Sequence, residues 1–191
     1  GRADDLRELC ALVVAHPLVA IVGAGGIGKT TLALAVANET RTRFPDGAWW
    51  VELAALSDPA MVASAVAQAL GIGVSAERPA AAALLAVLKP QHALLVLDNS
   101  EHVLDAVAQL VTTLLPQCPD VHWLVPVPRA KAGEPDKQVE ETAELLGDVM
   151  AERREQPLWT RPDGMAIHGV ASARLVLRRA SMKSVEEIGR A

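Results

Sequence analysis

Aromatic residues are scarce in this chain. It has no tyrosine and a single phenylalanine, and aromatics fill only 3% of its 191 positions. A platform of stacked rings for single-stranded nucleic acid needs more than that, so this class of binder is set aside. Cysteine is scarce too: Cys10 and Cys118 are the only two, with neither metal-ligand spacing nor a disulfide framework. They read as reduced thiols, which points to a cytoplasmic protein. No apolar run approaches the ~20 residues that span a bilayer, and no basic-then-apolar leader precedes the first helical pattern. Positive charge is in deficit. The formal net charge of -5 gives no general attraction to nucleic acid or to an anionic membrane. An initiating methionine is missing as well: the chain opens "GRADD", as a piece of something longer would.

What is present is apolar material, at 51% of residues, enough for a real core. The length suits one domain, or one domain with an appendage. Residues 1–128 hold 7 basic and 12 acidic side chains, whereas residues 129–191 hold 11 of each. The second part is denser in charge and less clearly patterned. A boundary is expected around "PVPRAKAGEP", from Pro126 to Pro135, which reads as turn or loop. The chain therefore divides into a domain over 1–128 and a divergent, mainly helical and loop extension over 129–191.

Within the first part, short apolar runs alternate with helical patterns. "DLRELCALVVAH" puts Leu6, Leu9, Cys10 and Val13 on one helical face. "LVAIV" is a fully apolar strand of the kind a two-sided parallel sheet buries. "TLALAVANETRTRF" reads as helix and "GAWWVELA" as strand. "PAMVASAVAQAL" is a helix with Asp58 as its cap before Pro59. Pro79 to Leu88 forms another, "HALLVLDN" a buried strand ending in an acid, "HVLDAVAQLVTTLL" a helix and "VHWLVPV" a strand. This alternation predicts an α/β fold: an open, mostly parallel sheet flanked by helices. No internal repeat interrupts it.

Four glycines fall between positions 23 and 28, and Gly23, Gly28, Lys29 and Thr30 match G-x-x-x-x-G-K-T, with a buried strand before and a helix after. Glycine lets the backbone turn tightly, so that the N–H groups of Gly23, Ala24, Gly25, Gly26, Ile27 and Gly28 can line a cradle. The following helix adds unpaired N–H groups and the positive end of its dipole. Lys29 offers a point charge for β- and γ-phosphates, and Thr30 a hydroxyl for Mg²⁺. Thr31 packs near the α-phosphate or caps locally. The expected architecture is thus a P-loop NTPase, with the loop at the carboxyl edge of the sheet, where open α/β sheets bind ligands. At the end of the second buried strand, Asp98 can hold Mg²⁺ through water beside Thr30. Asn99 follows where many ATPases place a second acid, and an amide cannot accept a proton from water. Glu101 is the nearest carboxylate. It either polarises the attacking water or is a first-turn glutamate favoured by the helix dipole. His102 is read as a surface or packing residue.

These stretches, above all "FPDGAWWVELA" and "LVLDNSEH", carry a family likeness. The first two-thirds of the chain resembles the nucleotide-binding domain of bacterial STAND-type signal-transduction ATPases, and within them the ATPase modules of LuxR-like and AfsR/SARP-like transcriptional regulators. The resemblance implies ATP or ADP with Mg²⁺, slow hydrolysis, and a regulatory switch. It implies that Gly1 and Arg2 lie beside the adenine. It gives Lys29 and Thr30 as the phosphate-loop pair and Asp98 as the Mg²⁺ carboxylate. Arg129 stands where the family has an arginine that senses the γ-phosphate. The family usually shows Thr-Ser-Arg there, and this chain reads Val127-Pro128-Arg129, so Arg129 is either that sensor or a loop arginine. Effector or sensor domains in a longer parent and nucleotide-dependent self-association are also implied. A switch that binds nucleotide without turning it over, or a degenerate interaction scaffold, are the alternatives.

In the last third, Val139, Ala143, Leu146 and Met150 recur with helical spacing. Arg174, Arg178, Arg179 and Lys183 form a basic cluster, read as a solvated face with Lys183 paired to Glu187 rather than a DNA contact. Trp159, between Pro157 and Pro162, is expected in a loop. Direct sequence-specific DNA binding by this chain is not expected.

Overall fold

A computed structural model describes residues 2–23, 26–128, 159–160 and 166–169. The expected helix over 138–157 and the basic cluster lie outside the described residues, as do Gly1, Ala24, Gly25 and Arg129.

The architecture is α/β, with an open, mostly parallel sheet and helices on both faces, as the alternation predicts. Strands β1 (Leu18–Gly23), β2 (Ala48–Glu52), β3 (Ala93–Asp98) and β4 (Val121–Pro128) are parallel, in the order β2-β3-β4-β1. The sheet then continues with β6 (Ala166–Gly169), antiparallel to β1, and β5 (Trp159–Thr160), antiparallel to β6. Trp159, expected in a loop, is therefore in an edge strand.

Side chains alternate between two cores, as the pleat requires. On one face, Val19 and Ile21 of β1, Leu94 and Val96 of β3, and Leu124 of β4 pack under α1 (Arg2–Ala15) and α2 (Lys29–Thr40). On the other, Leu18, Ala20, Val22, Leu95, Leu97 and Trp123 pack under α3 (Val62–Ala69), α4 (Ala80–Leu88) and α5 (Leu104–Leu114). Every residue of β1 and β3 is buried, which is why both read as unbroken apolar runs. Leu9 and Val13 are the buried stripe of α1, while Cys10 is half-buried and, like Cys118, a free thiol. Among the described residues no helix is long and apolar enough to cross a membrane.

Two prolines open the carboxyl edge of the sheet. The Trp123 amide donates towards β1, to the Pro17 carbonyl at 2.8 Å. Alternation then turns the nitrogens of Pro126 and Pro128 towards β3, and neither carries a hydrogen to donate. The β3–β4 register accordingly ends at Val96↔Leu124, while β4 runs on with β1 as far as Gly23↔Pro128 and β3 runs on with β2 as far as Glu52↔Asp98. The sheet parts between Asp98 and the glycine loop.

Candidate functional site

The glycine loop leaves β1 at Gly23 and enters α2 at Lys29. Gly26 and Gly28 have φ of +76° and +91°, a left-handed backbone that a side chain resists. A Cβ at either position would meet nothing within 4 Å. Backbone conformation therefore demands these glycines, and they face open space rather than packed protein. Ile27, between them, turns inward against the core shared by α1 and α2. Gly28 is the N-cap of α2 and provides no side-chain cap. The first-turn N–H groups, which no helix can satisfy internally, keep their positive end towards the loop.

Two of the candidate side chains converge here from positions distant in the chain. The Thr30 hydroxyl donates to Asp98 Oδ1 at 3.2 Å across 68 residues of sequence. Asp98 is only 1% exposed, and its Oδ2 is buried without a hydrogen-bond partner. Burial pushes its pKa up, more than the Thr30 hydroxyl and the Asn99 backbone amide pull it down, and the nearby Glu52 and Glu101 carboxylates push the same way as burial. A buried carboxylate with one oxygen orphaned is poised for a cation. Among the described residues no group of three or more His, Cys, Asp or Glu side chains could hold a metal alone. The donor set is one carboxylate and one hydroxyl, which suits an ion that keeps waters and takes other ligands from phosphates.

Lys29 Nζ donates to the Gly23 carbonyl at 2.9 Å, folding back across the loop it follows. Burial lowers its pKa, and the negative charges of Glu101 and Asp98 oppose that shift. Lys29, Asp98 and Glu101 thus share one electrostatic neighbourhood. Thr31 is exposed on the first turn of α2. Arg2 is the first residue of α1. Glu101 is exposed and opens a short 3-10 turn, Glu101–Val103, ahead of α5, so the helix expected from His102 starts at Leu104. His102 is exposed, and its Nε2 lies 2.6 Å from the Leu56 carbonyl in the loop after β2.

Two residues near the site are not singled out by sequence reasoning. Glu52, at the end of β2, accepts from the Asn99 side-chain amide at 2.9 Å and from the Ala54 amide at 3.0 Å through the same oxygen. Its signal is its position at the end of a strand, paired in register with Asp98. Ser100 is fully buried, with a hydroxyl that has no partner. No local pattern marks it.

The family model described as the NB-ARC domain matches residues 5–115. A Mycobacterium tuberculosis protein named as an HTH-type transcriptional regulator is 35% identical over 177 residues, covering 88% of this chain and 19% of that protein. The regulatory protein AfsR of Streptomyces coelicolor is 37% identical over 120 residues, covering 52% of this chain and 12% of AfsR. The chain thus spans about a fifth or less of the length of these relatives. Among solved structures, the Aeropyrum pernix ORC2 protein superposes with a TM-score of 0.56 at 16% identity, over 75% of this chain and 43% of ORC2. At that identity the likeness is one of fold.

Proposed function

The chain belongs to the NB-ARC family of STAND-type P-loop ATPase domains, and from that premise we propose that it binds ATP or ADP with Mg²⁺, hydrolyses ATP slowly and serves as a regulatory switch. The observation that carries this reading is the meeting of Thr30 and Asp98 beside an open glycine cradle, with Asp98 Oδ2 left unpartnered. Thr30 and Asp98 would hold Mg²⁺, which supplies charge neutralisation at the β- and γ-phosphates. Lys29 exchanges the Gly23 carbonyl for phosphate oxygens. The backbone from Gly23 through Ala24, Gly25, Gly26, Ile27 and Gly28 to Thr31 wraps the phosphates. Gly1 and Arg2 lie beside the adenine, Arg129 senses the γ-phosphate, and Glu101 orients the attacking water. ORC2, the fold neighbour, is in ADPNP–ADP complexes. Relatives named as transcriptional regulators support a role in transcriptional control within a longer cytoplasmic protein, whose other domains sense or act. Nucleotide-dependent self-association belongs to the same reading.

Isothermal titration with ATP and Mg²⁺ tests binding, and competition with GTP tests the base. A folded sample that takes up no nucleotide sinks the proposal and leaves the interaction scaffold. A second reading, a switch that binds without turnover, is favoured by one observation. Asn99 occupies the position after Asp98, and its amide is committed to Glu52. Single-turnover hydrolysis by wild type and Glu101→Gln separates the two. A rate lost in the variant supports Glu101 as the water-orienting group. Binding without hydrolysis in both proteins establishes the passive switch.

A further inference from the structure

The carboxylate of Asp98 is presented by an awkward turn. Asn99 has φ +51° and is the only non-glycine among the described residues with positive φ. Asparagine tolerates this region better than most side chains, but the conformation still needs external support. That support comes from the neighbouring strand and its loop. The Leu53 amide donates to the Asp98 carbonyl at 3.1 Å. The Asn99 side chain donates to Glu52 Oε1 at 2.9 Å, and that oxygen is itself fixed by the Ala54 amide at 3.0 Å. Three residues beyond Asn99, His102 ties the 3-10 turn to the Leu56 carbonyl at 2.6 Å. The segment from Asp98 to His102 is stapled to the end of β2 and the loop beyond it.

We propose that Glu52 is a positioning residue of the nucleotide site, holding through the Asn99 amide the left-handed turn that aims the Asp98 carboxylate at Thr30. It rests on the reading of Asp98 as the Mg²⁺ carboxylate. The turn couples to that carboxylate in two ways. Asn99 follows Asp98 directly, so the φ of Asn99 sets the plane of the peptide between them, and the Asn99 backbone amide stabilises the charged carboxylate. Releasing the Asn99 side chain frees that plane. What Glu52 supplies is a hydrogen-bond acceptor, which a neutral amide oxygen can replace. A carboxylate acting as a base could not be replaced in this way. Glu52 ends β2 and Asn99 follows β3, so the pair links the two neighbouring strand ends.

The test compares Glu52→Ala, Asn99→Ala, their double variant and Glu52→Gln, by titration of ATP with Mg²⁺ and with EDTA. Glu52→Ala should weaken binding in Mg²⁺ by about three- to tenfold, the range for the net worth of one ordinary hydrogen bond, and leave binding in EDTA unchanged. Asn99→Ala, which also places an alanine at positive φ, should lose at least as much, and the double variant should be no worse than Asn99→Ala alone. Glu52→Gln should recover most of the loss. Additive losses, or a Glu52→Gln variant as weak as Glu52→Ala, overturn the proposal. A second measurement needs no nucleotide. In amide NMR spectra of the free protein, Glu52→Ala should displace the backbone signals of Asp98 to Glu101, and Glu52→Gln should leave them near wild type. Undisplaced signals in Glu52→Ala refute the positioning role whether or not nucleotide binds, whereas a wild-type protein that ignores MgATP refutes the nucleotide reading alone.

Discussion

Lys29 and Asp98 have opposite charges and the same problem: both lose water on folding, and burial is the largest cause of each pKa shift. For Lys29 the partner at hand is the Gly23 carbonyl, a weak substitute for phosphate. Lys29→Ala should therefore cost the triphosphate about tenfold or more in affinity, the scale of a charge-assisted hydrogen bond. Adenosine should bind equally to both proteins, and titration of the two ligands checks the difference. For Asp98 the sign is the reverse of the usual salt-bridged acid. Its folded-state pKa lies above the ordinary 3.8, so the folded state holds its proton more tightly than the unfolded chain. Stability from this group is full below 3.8 and falls as pH rises through the folded pKa, leaving a charged, destabilising carboxylate at neutral pH. Asp98→Asn should raise the melting temperature of the nucleotide-free protein at pH 7 and abolish the Mg²⁺ enhancement of ATP binding. A variant that melts lower at pH 7, yet like wild type below pH 3.8, contradicts this assignment. At this scale the motif residues were legible because Thr30 and Asp98 sit at fixed offsets from strand ends. Glu52 was not, because its partner is 47 residues away and only the β2–β3 register brings them together.

The elements followed the apolar pattern where burial is two-sided and departed from it where a turn decides. The unbroken runs of β1 and β3, and the cap of Asp58 on the Ala60 amide at 2.9 Å, correspond to their sequence readings. The short 3-10 turns Arg41–Arg43, Pro59–Met61 and Glu101–Val103 do not, because three residues are too few for apolar spacing to tell i→i+3 from i→i+4 bonding. At Val103 the backbone, with φ -129°, breaks the helical path before α5 begins. "VHWLVPV" is a strand as its pattern predicts, but the expected loop start at Pro126 falls inside it: β4 runs to Pro128, and the two prolines end only its contact with β3. The loop-to-helix junction gives the sharpest prediction at this scale. Gly28 has positive φ and no steric neighbour, so Gly28→Ala meets a backbone penalty alone, about 1–2 kcal/mol. Chemical denaturation should show that loss with an unchanged m-value. Nucleotide affinity should fall further than stability, since the N-cap peptide would leave the geometry that points α2 at the loop.

As a whole the chain is an NB-ARC-family α/β protein with a net negative charge, and that sets what it can do to DNA. Its relatives include proteins named as HTH-type regulators, but the chain spans 19% of such a relative, and the NB-ARC match over 5–115 lies on the α/β domain. Reading a base sequence needs side chains held against base edges, commonly from a helix in a compact DNA-binding fold. The described helices carry their apolar faces into the two cores and frame the sheet. Net charge is -5, and residues 1–128 contribute all of that excess. The basic cluster that could offer phosphate contacts is Arg174, Arg178, Arg179 and Lys183, and over residues 129–191 acids equal bases. Four such contacts give a salt slope of about -3.6 and a weak, sequence-blind affinity. We therefore expect fluorescence anisotropy against two unrelated duplexes at near-physiological salt to show equal, weak binding that vanishes as salt is raised. MgATP should not convert that binding into a preference for either duplex. Tight, salt-resistant discrimination between them would move the working centre of the chain away from Lys29 and into residues 129–191.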